Sequence, residues 1–251
     1  MKNLFLFDVD GTITESGEKI QQNMIDLLNQ IKYNPNNEIG IVGGGKLDKI
    51  LYQFDSKIIF DHYFTECGCC YYKNSSKNQN LLNNIYCKNI RTHELFNEFN
   101  KLIKICLKYL SNVDYNLSGT FIDLRSGLIY VSLIGMQANN EERKYFINYD
   151  KHNKIREQLI IELNNHLISN NLQNKIVACE GGTVGIALYP SEWDKIQVLD
   201  KININYYKNI YYFGDKYLEN GNDYKLINSN KVIGFKIDSL YDTIKHLNNL
   251  L

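Results

Sequence analysis

The first forty-five residues carry the clearest pattern of apolar and polar positions. Residues 4–7 form an apolar run without alternation, which is typical of a short strand buried on both faces. Apolar side chains recur at helical spacing over residues 20–31, and an Asn-Pro-Asn-Asn segment at 34–37 then predicts a break. Residues 38–42 read as a second buried strand. A strand, a helix and a second strand in this order predict a parallel, right-handed crossover.

The middle of the chain predicts a separate unit with its own strands and helices. Residues 75–84 are polar and rich in Asn, so we expect a structureless segment with a domain boundary just after it. The strands beyond it are expected to form one antiparallel sheet with helices on one face. The predicted helices are 93–110, 141–152 and 155–168, and the predicted strands are 120–124, 128–131, 176–179 and 184–189.

The last third resembles the first in its pattern. Trp193-Asp194-Lys195 is expected to open a helix, and a strand at 209–213 ends in Gly214-Asp215. A final strand at 231–235 precedes a helix at 239–250. The sequence therefore predicts an α/β protein in which residues 1–85 and 191–251 form a parallel-sheet domain, and residues 86–190 form an inserted α/β domain.

Composition narrows the classes of function. The 28 basic residues equal the 28 acidic ones, which gives no support for binding nucleic acid or an acidic membrane surface. No apolar run approaches the roughly twenty residues of a membrane span, and no signal peptide is present. The six cysteines do not form a pair of metal-spaced pairs, which favours reduced thiols. We therefore expect a soluble, cytoplasmic protein.

Acidic residues follow two of the predicted strands directly. Asp8 and Asp10 come after the first strand, and the carboxyl ends of strands are where open α/β sheets bind ligands. Two carboxylates this close repel unless a cation offsets their charge, and Mg²⁺ prefers such oxygen ligands. We expect Asp8, Asp215 and the backbone carbonyl of Asp10 to hold the ion. Lys195 can balance the charges of Asp8 and of a phosphate.

Glycines beside these carboxylates predict a phosphate site. Gly11 lets the backbone approach a ligand, and Thr12 can offer a hydroxyl and an N–H to a phosphate oxygen. Gly43 and Gly44 end the second strand just before a helix, where exposed N–H groups can bind an anion. A flexible turn is the alternative, and the neighbouring Asp8 favours the phosphate site.

These features, in this order, resemble the eukaryotic-type phosphomannomutase family, a branch of the haloacid dehalogenase superfamily. The resemblance covers nearly the entire chain, and the middle motifs distinguish this family from other phosphatases of the superfamily. The motifs are Phe7-Asp8-Val9-Asp10-Gly11-Thr12, Ile41-Val42-Gly43-Gly44, Gly119-Thr120-Phe121-Ile122, Ile134-Gly135, Glu141-Glu142-Arg143, Trp193-Asp194-Lys195, Phe213-Gly214-Asp215-Lys216 and Gly221-Asn222-Asp223.

The resemblance implies a Rossmann-like core and a cap that closes over a sugar phosphate and forms a homodimer. It implies Asp8 as the nucleophile that becomes an aspartyl phosphate, and Asp10 as the general acid/base. Arg125 and Arg143 match cap arginines that grip the distal phosphate. The implied reaction interconverts mannose 6-phosphate and mannose 1-phosphate, with Mg²⁺ and a hexose 1,6-bisphosphate activator, in GDP-mannose biosynthesis.

The chain also departs from the family at several substrate positions. Arginine is usual at Gly17, Ser118 and Met136, serine at Gly45 and Gly185, and aspartate at Ala187. Three hypotheses therefore stand: a phosphohexomutase, a sugar-phosphate phosphatase of the same fold, and a non-catalytic or impaired homologue that binds a ligand or a partner. The retained acidic residues and Lys195 favour catalysis, while the altered positions leave the preferred hexose open.

Overall fold

The computed structural model describes residues 1–75, 81–219 and 221–251. The strands in this part are β1 (Lys2–Phe7), β2 (Asn37–Val42), β3 (His62–Thr65), β4 (Cys70–Asn74), β5 (Leu82–Cys87), β6 (Ile122–Leu124), β7 (Ile129–Ser132), β8 (Ile176–Gly181), β9 (Gly185–Pro190), β10 (Tyr207–Gly214) and β11 (Ile233–Lys236). The helices are α1 (Gln22–Tyr33), α2 (Leu47–Phe54), α3 (Phe96–Leu110), α4 (Asn140–Asn153), α5 (Ile155–Ser169), α6 (Tyr224–Ile227) and α7 (Leu240–Leu250).

The larger sheet has seven strands in the order β11-β10-β1-β2-β3-β4-β5. The five strands from β11 to β3 are parallel, whereas β4 and β5 run antiparallel to their neighbours. The smaller sheet is antiparallel throughout, in the order β6-β7-β9-β8. The predicted α/β class, with a parallel-sheet core and a separate antiparallel sheet, is therefore confirmed.

Strand β1 lies in the middle of the larger sheet and is buried on both faces. Phe5 and Phe7 pack into one apolar cluster, and Leu4 and Leu6 pack into a second cluster on the opposite face. Both faces of the strand need apolar side chains, which explains the absence of alternation in its sequence. This placement fixes the residues that follow Phe7 at the edge of a rigid sheet.

The chain divides into two compact units. The core unit comprises Met1–Lys88 and Trp193–Leu251, and the cap unit comprises Asn89–Glu192. The sequence placed these boundaries after residues 85 and 190. In the cap unit, α5 packs against β8 and β9, and α4 begins with a capping box in which Asn139 and Glu142 exchange side-chain and backbone hydrogen bonds.

Two predictions near the first boundary are wrong. Leu82–Cys87 forms β5, so residues 82–84 belong to a strand; the rest of the predicted structureless segment includes residues 76–80, which lie outside the described residues. This edge strand is mostly exposed and pairs through its backbone, so it needs no apolar face. Cys70 and Cys87 are register partners joined by a disulfide, so the prediction of reduced thiols fails for this pair.

In the described part of the chain, every helix is too short or too polar to cross a lipid bilayer.

Candidate active site

The chain turns sharply after β1 and places Asp8 beside the end of β10. Phe7 and Phe213 are register partners, and the Asp8 N–H donates to Phe213 O at 2.9 Å. Gly11 has a φ of +85°, and a Cβ added to it would lie 2.6 Å from Asp215 Oδ2. Only glycine accommodates both the backbone conformation and this approach, so the position of Asp215 requires glycine at position 11.

Three carboxylates meet at the ends of β1 and β10. Asp8, Asp215 and Asp223 each offer an oxygen, and these oxygens all lie within 4.8 Å of one another. Asp8 and Asp223 are buried. Within the described residues, Asp215 Oδ1 and Asn222 Oδ1 are buried and have no hydrogen-bond partner. Converging buried oxygens of this kind fit a divalent cation with oxygen ligands.

Lys195 is buried and pairs with two of these carboxylates. Its Nζ lies 2.7 Å from Asp8 Oδ1 and 2.7 Å from Asp223 Oδ1, and the residue is 1% exposed. Burial lowers the pKa of Lys195, but the two carboxylates outweigh that effect and hold the pKa above its ordinary value. Burial raises the pKa of Asp8, and the Lys195 ammonium opposes that rise. The lysine thus compensates charge on the carboxylate predicted to act as nucleophile.

The lysine is held by a short turn rather than by the α-helix expected there. Lys195–Asp200 forms a 3₁₀-helix, and the Asp194 side chain accepts the Ile196 N–H at 3.1 Å at its start. Lys225 pairs with the other carboxylate oxygen of Asp194. These contacts fix the backbone immediately before Lys195.

Asp223, which pairs with Lys195, is itself held in place by hydrogen bonds. The Tyr212 hydroxyl donates to Asp223 Oδ1, and the Lys216 N–H donates to Asp223 Oδ2 at 3.0 Å. A Cβ on Gly214 would lie 2.6 Å from Asp223 Cγ, so the end of β10 must be glycine for Asp223 to reach the lysine. Sequence reasoning noted the Gly221-Asn222-Asp223 motif but did not assign this role.

The Asp10 side chain points away from the three carboxylates. It accepts hydrogen bonds from Lys49 Nζ at 2.9 Å, Gln53 Nε2 at 2.8 Å and the Gly17 N–H at 2.8 Å. Burial raises the pKa of Asp10, but the effect of these donors is larger, that of Lys49 most of all. The pKa of Asp10 is therefore lowered from its ordinary value. The carboxylate is thus held apart from the cluster, and its role in proton transfer and the binding of metal by its carbonyl stay predictions.

The first of the two glycines after β2, Gly43, is held by strand pairing and close packing. The Gly43 N–H donates to Phe64 O at 2.9 Å, and a Cβ on Gly43 would lie 3.1 Å from Ile50 and from Val9. Close packing and strand pairing therefore account for Gly43. The phosphate site at Gly43 and Gly44 stays a prediction.

The two predicted arginines lie in the cap unit, each held by local contacts. Arg125 Nε donates to Asp123 Oδ2 at 2.7 Å, and the Arg125 guanidinium carbon lies 4.8 Å from the Tyr130 ring centroid. Arg143 donates to the carbonyls of Ala138 at 3.0 Å and Met136 at 3.2 Å. Each guanidinium is thereby oriented by its own unit.

Comparison with known proteins identifies the family. A model of the family "Eukaryotic phosphomannomutase" matches residues 24–251. The phosphomannomutase of Encephalitozoon cuniculi is 34% identical over 253 residues, which cover 100% of this chain and 94% of that protein. The phosphomannomutase of Saccharomyces cerevisiae is 33% identical, with 99% of this chain and 94% of the relative covered. This chain belongs to the eukaryotic phosphomannomutase family.

Solved structures place the same chain in a wider fold class. The IMP-bound, N-terminally truncated IMP-nucleotidase of Plasmodium falciparum matches with a TM-score of 0.65 at 16% identity, covering 99% of this chain and 68% of that one. The C-terminal domain of Candida albicans trehalose-6-phosphate phosphatase matches with a TM-score of 0.61 at 16% identity, covering 100% and 93%. At this identity the likeness shows a shared fold.

Several site residues of this phosphomannomutase-family chain escaped the sequence analysis. Lys49 and Gln53 lie one turn apart on α2, and their shared contact with Asp10 depends on how α2 lies against the loop that follows β1. No sequence signal separates such residues from ordinary polar surface residues.

Proposed function

We propose that this protein is a phosphomannomutase that interconverts mannose 6-phosphate and mannose 1-phosphate. The observation that carries the proposal is Lys195, bridged between Asp8 and Asp223 inside an acidic cluster. A phosphoryl-transfer nucleophile needs such a cation, because the carboxylate must approach a phosphate of like charge. The full-length similarity to phosphomannomutases of other organisms supports the choice of mannose phosphates.

Asp8 is the group that carries the phosphoryl in this proposal. A carboxylate oxygen of Asp8 attacks one phosphorus of a hexose 1,6-bisphosphate, and an O–P bond forms as the bond from that phosphorus to the sugar oxygen breaks. Asp8 becomes an aspartyl phosphate and the sugar leaves as a hexose monophosphate. Lys195, 2.7 Å from Asp8 Oδ1, holds the carboxylate in place and offsets the added negative charge.

Asp10 moves the proton in each half-reaction. The departing sugar oxygen takes a proton from Asp10, and the hydroxyl that later attacks the aspartyl phosphate returns a proton to it. Lys49 and Gln53 hold the Asp10 carboxylate between these events. The monophosphate must turn around between the two steps, and Arg125 and Arg143 are the proposed grips on its distal phosphate.

The acidic cluster fits Mg²⁺, with Asp8, Asp215 and the carbonyl of Asp10 as proposed ligands. The unpartnered, buried Asp215 Oδ1 supports this assignment, since a carboxylate oxygen without a donor is costly unless a cation binds it. A bound Mg²⁺ would neutralise charge on the transferred phosphoryl group.

We further propose that the protein is cytoplasmic and forms a homodimer through its cap. Its product would serve GDP-mannose biosynthesis. Helix α5 leaves Ile161 and Ile168 more than half exposed, at 53% and 57%. Exposed apolar side chains of this size on one helix suit a subunit contact. Sedimentation of the protein and of Ile161→Glu would test the dimer.

One assay separates the three hypotheses for the reaction. Purified protein is incubated with mannose 1-phosphate and Mg²⁺, with and without a hexose 1,6-bisphosphate, and both hexose 6-phosphate and free phosphate are measured. A mutase forms hexose 6-phosphate that depends on the activator, and Asp8→Asn lowers the rate by roughly 10⁴-fold or more. Asp26→Asn, at an exposed position on α1, is the matched control.

Two results would contradict the proposal. Free phosphate in excess of hexose 6-phosphate would indicate a phosphatase, the outcome favoured if the altered positions Met136, Gly185 and Ala187 no longer retain the intermediate. No turnover with any hexose phosphate, together with an unmodified Asp8, would indicate a non-catalytic homologue.

A further inference from the structure

One face of the cap sheet carries a row of half-buried side chains that the proposed mechanism does not use. Asp123, Tyr130, Ala187 and Cys179 are successive register partners across β6, β7, β9 and β8. Side chains alternate along a strand, so these four share a face. On the opposite face, the strand neighbours of Tyr130 and Ala187 are fully buried: Ile129, Val131, Ile186 and Leu188. The row therefore lies on the face away from the apolar interior of the cap.

Tyr130 fills the space that a side chain at position 185 would need. A Cβ added to Gly185 would lie 2.4 Å from the Val131 carbonyl oxygen, 2.6 Å from Tyr130 Cζ and 2.6 Å from Tyr130 Oη. Serine is usual in the family at this position, and here it would meet both the Val131 carbonyl and the Tyr130 ring. The phenol instead brings its own hydroxyl to the same place. Ala187, its register partner, adds no polar group.

The groups around Tyr130 favour a hydrogen bond from its hydroxyl to an oxygen atom of a ligand. The Arg125 guanidinium carbon lies 4.8 Å from the ring centroid, and the charges of Arg143 and Arg156 also act on the phenol. Burial raises the pKa of Tyr130 although these three arginines oppose it. The phenol is therefore protonated at neutral pH and can donate a hydrogen bond, while Arg125 limits the motion of the ring.

We infer that Tyr130 is a specificity-determining residue, whose hydroxyl contacts one ring hydroxyl of the hexose phosphate in place of the polar side chains missing at Gly185 and Ala187. The inference rests on the proposed function and goes beyond it. It assigns to this chain a mode of sugar recognition that Tyr130 and Gly185 produce together.

The test compares Tyr130→Phe with Tyr145→Phe in the mutase assay. Tyr145 lies exposed on α4 of the same unit and serves as the matched control. Loss of one neutral hydrogen bond predicts a KM about 3- to 10-fold higher for Tyr130→Phe, with kcat nearly unchanged. The substrates are mannose 1-phosphate and its monodeoxy analogues, each lacking one ring hydroxyl.

The decisive readout is the pattern across the analogues. One analogue should lose affinity with the wild-type protein but show no further loss with Tyr130→Phe, because the contact is already gone.

The failures of the two proposals are distinguishable. If the wild type turns over and Asp8→Asn does not, but Tyr130→Phe matches the wild type on every analogue, the inference is wrong and the proposed function stands. Equal losses on all analogues would likewise assign Tyr130 a structural role. If the wild type itself shows no mutase turnover, both proposals fall.

Discussion

Two glycines allow the geometry of the acidic cluster to be tested without removing any of its ligands. Gly11 and Gly17 both have positive φ values, +85° and +78°. A Cβ on Gly11 would lie 2.6 Å from Asp215 Oδ2 and 2.9 Å from Asp215 Cγ, whereas a Cβ on Gly17 meets no atom within 4 Å. Gly11→Ala and Gly17→Ala therefore impose similar backbone strain, and only the first displaces Asp215.

The expected magnitudes follow from this difference. The left-handed conformation costs a non-glycine residue roughly 1–2 kcal/mol, so both variants should lose about that much free energy of unfolding in urea. To reach an ordinary contact distance, Asp215 must move by about 1 Å in Gly11→Ala. Misplacement of that order costs about 10²-fold in rate, and disturbed metal ligation costs about 10- to 100-fold in affinity.

The assay is a Mg²⁺ titration of the initial mutase rate for both variants and the wild type. Gly11→Ala should need at least about 10-fold more Mg²⁺ for half-maximal rate, and Gly17→Ala should match the wild type. Equal Mg²⁺ requirements in the two variants would show that Asp215 is not a ligand in this position.

Three further predictions concern charge. Asp223→Asn should lower the free energy of unfolding in urea by about 3 kcal/mol, because buried Lys195 loses a charged partner. Asp26→Asn, at an exposed position, should change it little. Unchanged stability of Asp223→Asn would refute the anchoring role of Asp223. Hydrogen bonding from His62 lowers the pKa of Glu38 well below its ordinary 4.5, so the stability it contributes is present above pH 4.5 and lost as the pH falls below it. Glu38→Gln should thus unfold with a weaker dependence on acid pH than the wild type, and parallel curves would contradict this. Chelation by EDTA should abolish mutase turnover, and Mg²⁺ should restore it; turnover that persists in EDTA would exclude a required divalent ion.

The sequence predicts the position of the site well because the position depends on local pattern. An unbroken apolar run identifies β1 as a central strand, and acidic residues directly after such a strand must lie at its carboxyl edge. The same reasoning applies to Asp215, which directly follows β10. The fold class and family were therefore accessible from motifs and element order alone.

Other parts of the site depend on packing that no local pattern records. Asp223 reaches Lys195 only because Gly214 leaves room for its carboxylate. The pairing of Tyr130 with Gly185 is a diagonal contact between β7 and β9, which becomes visible once their register is known. Strand β5 was missed because an exposed edge strand is held by its backbone and carries no apolar signature.

The central claim is that Asp8 carries the phosphoryl group between the two halves of the reaction. The most direct measurement is mass spectrometry of the protein quenched during turnover with a hexose 1,6-bisphosphate and Mg²⁺. The account predicts one added phosphoryl group on the peptide that contains Asp8, absent in Asp8→Asn. Sustained mutase turnover with Asp8 unmodified, or with the phosphoryl group on another residue, would contradict it.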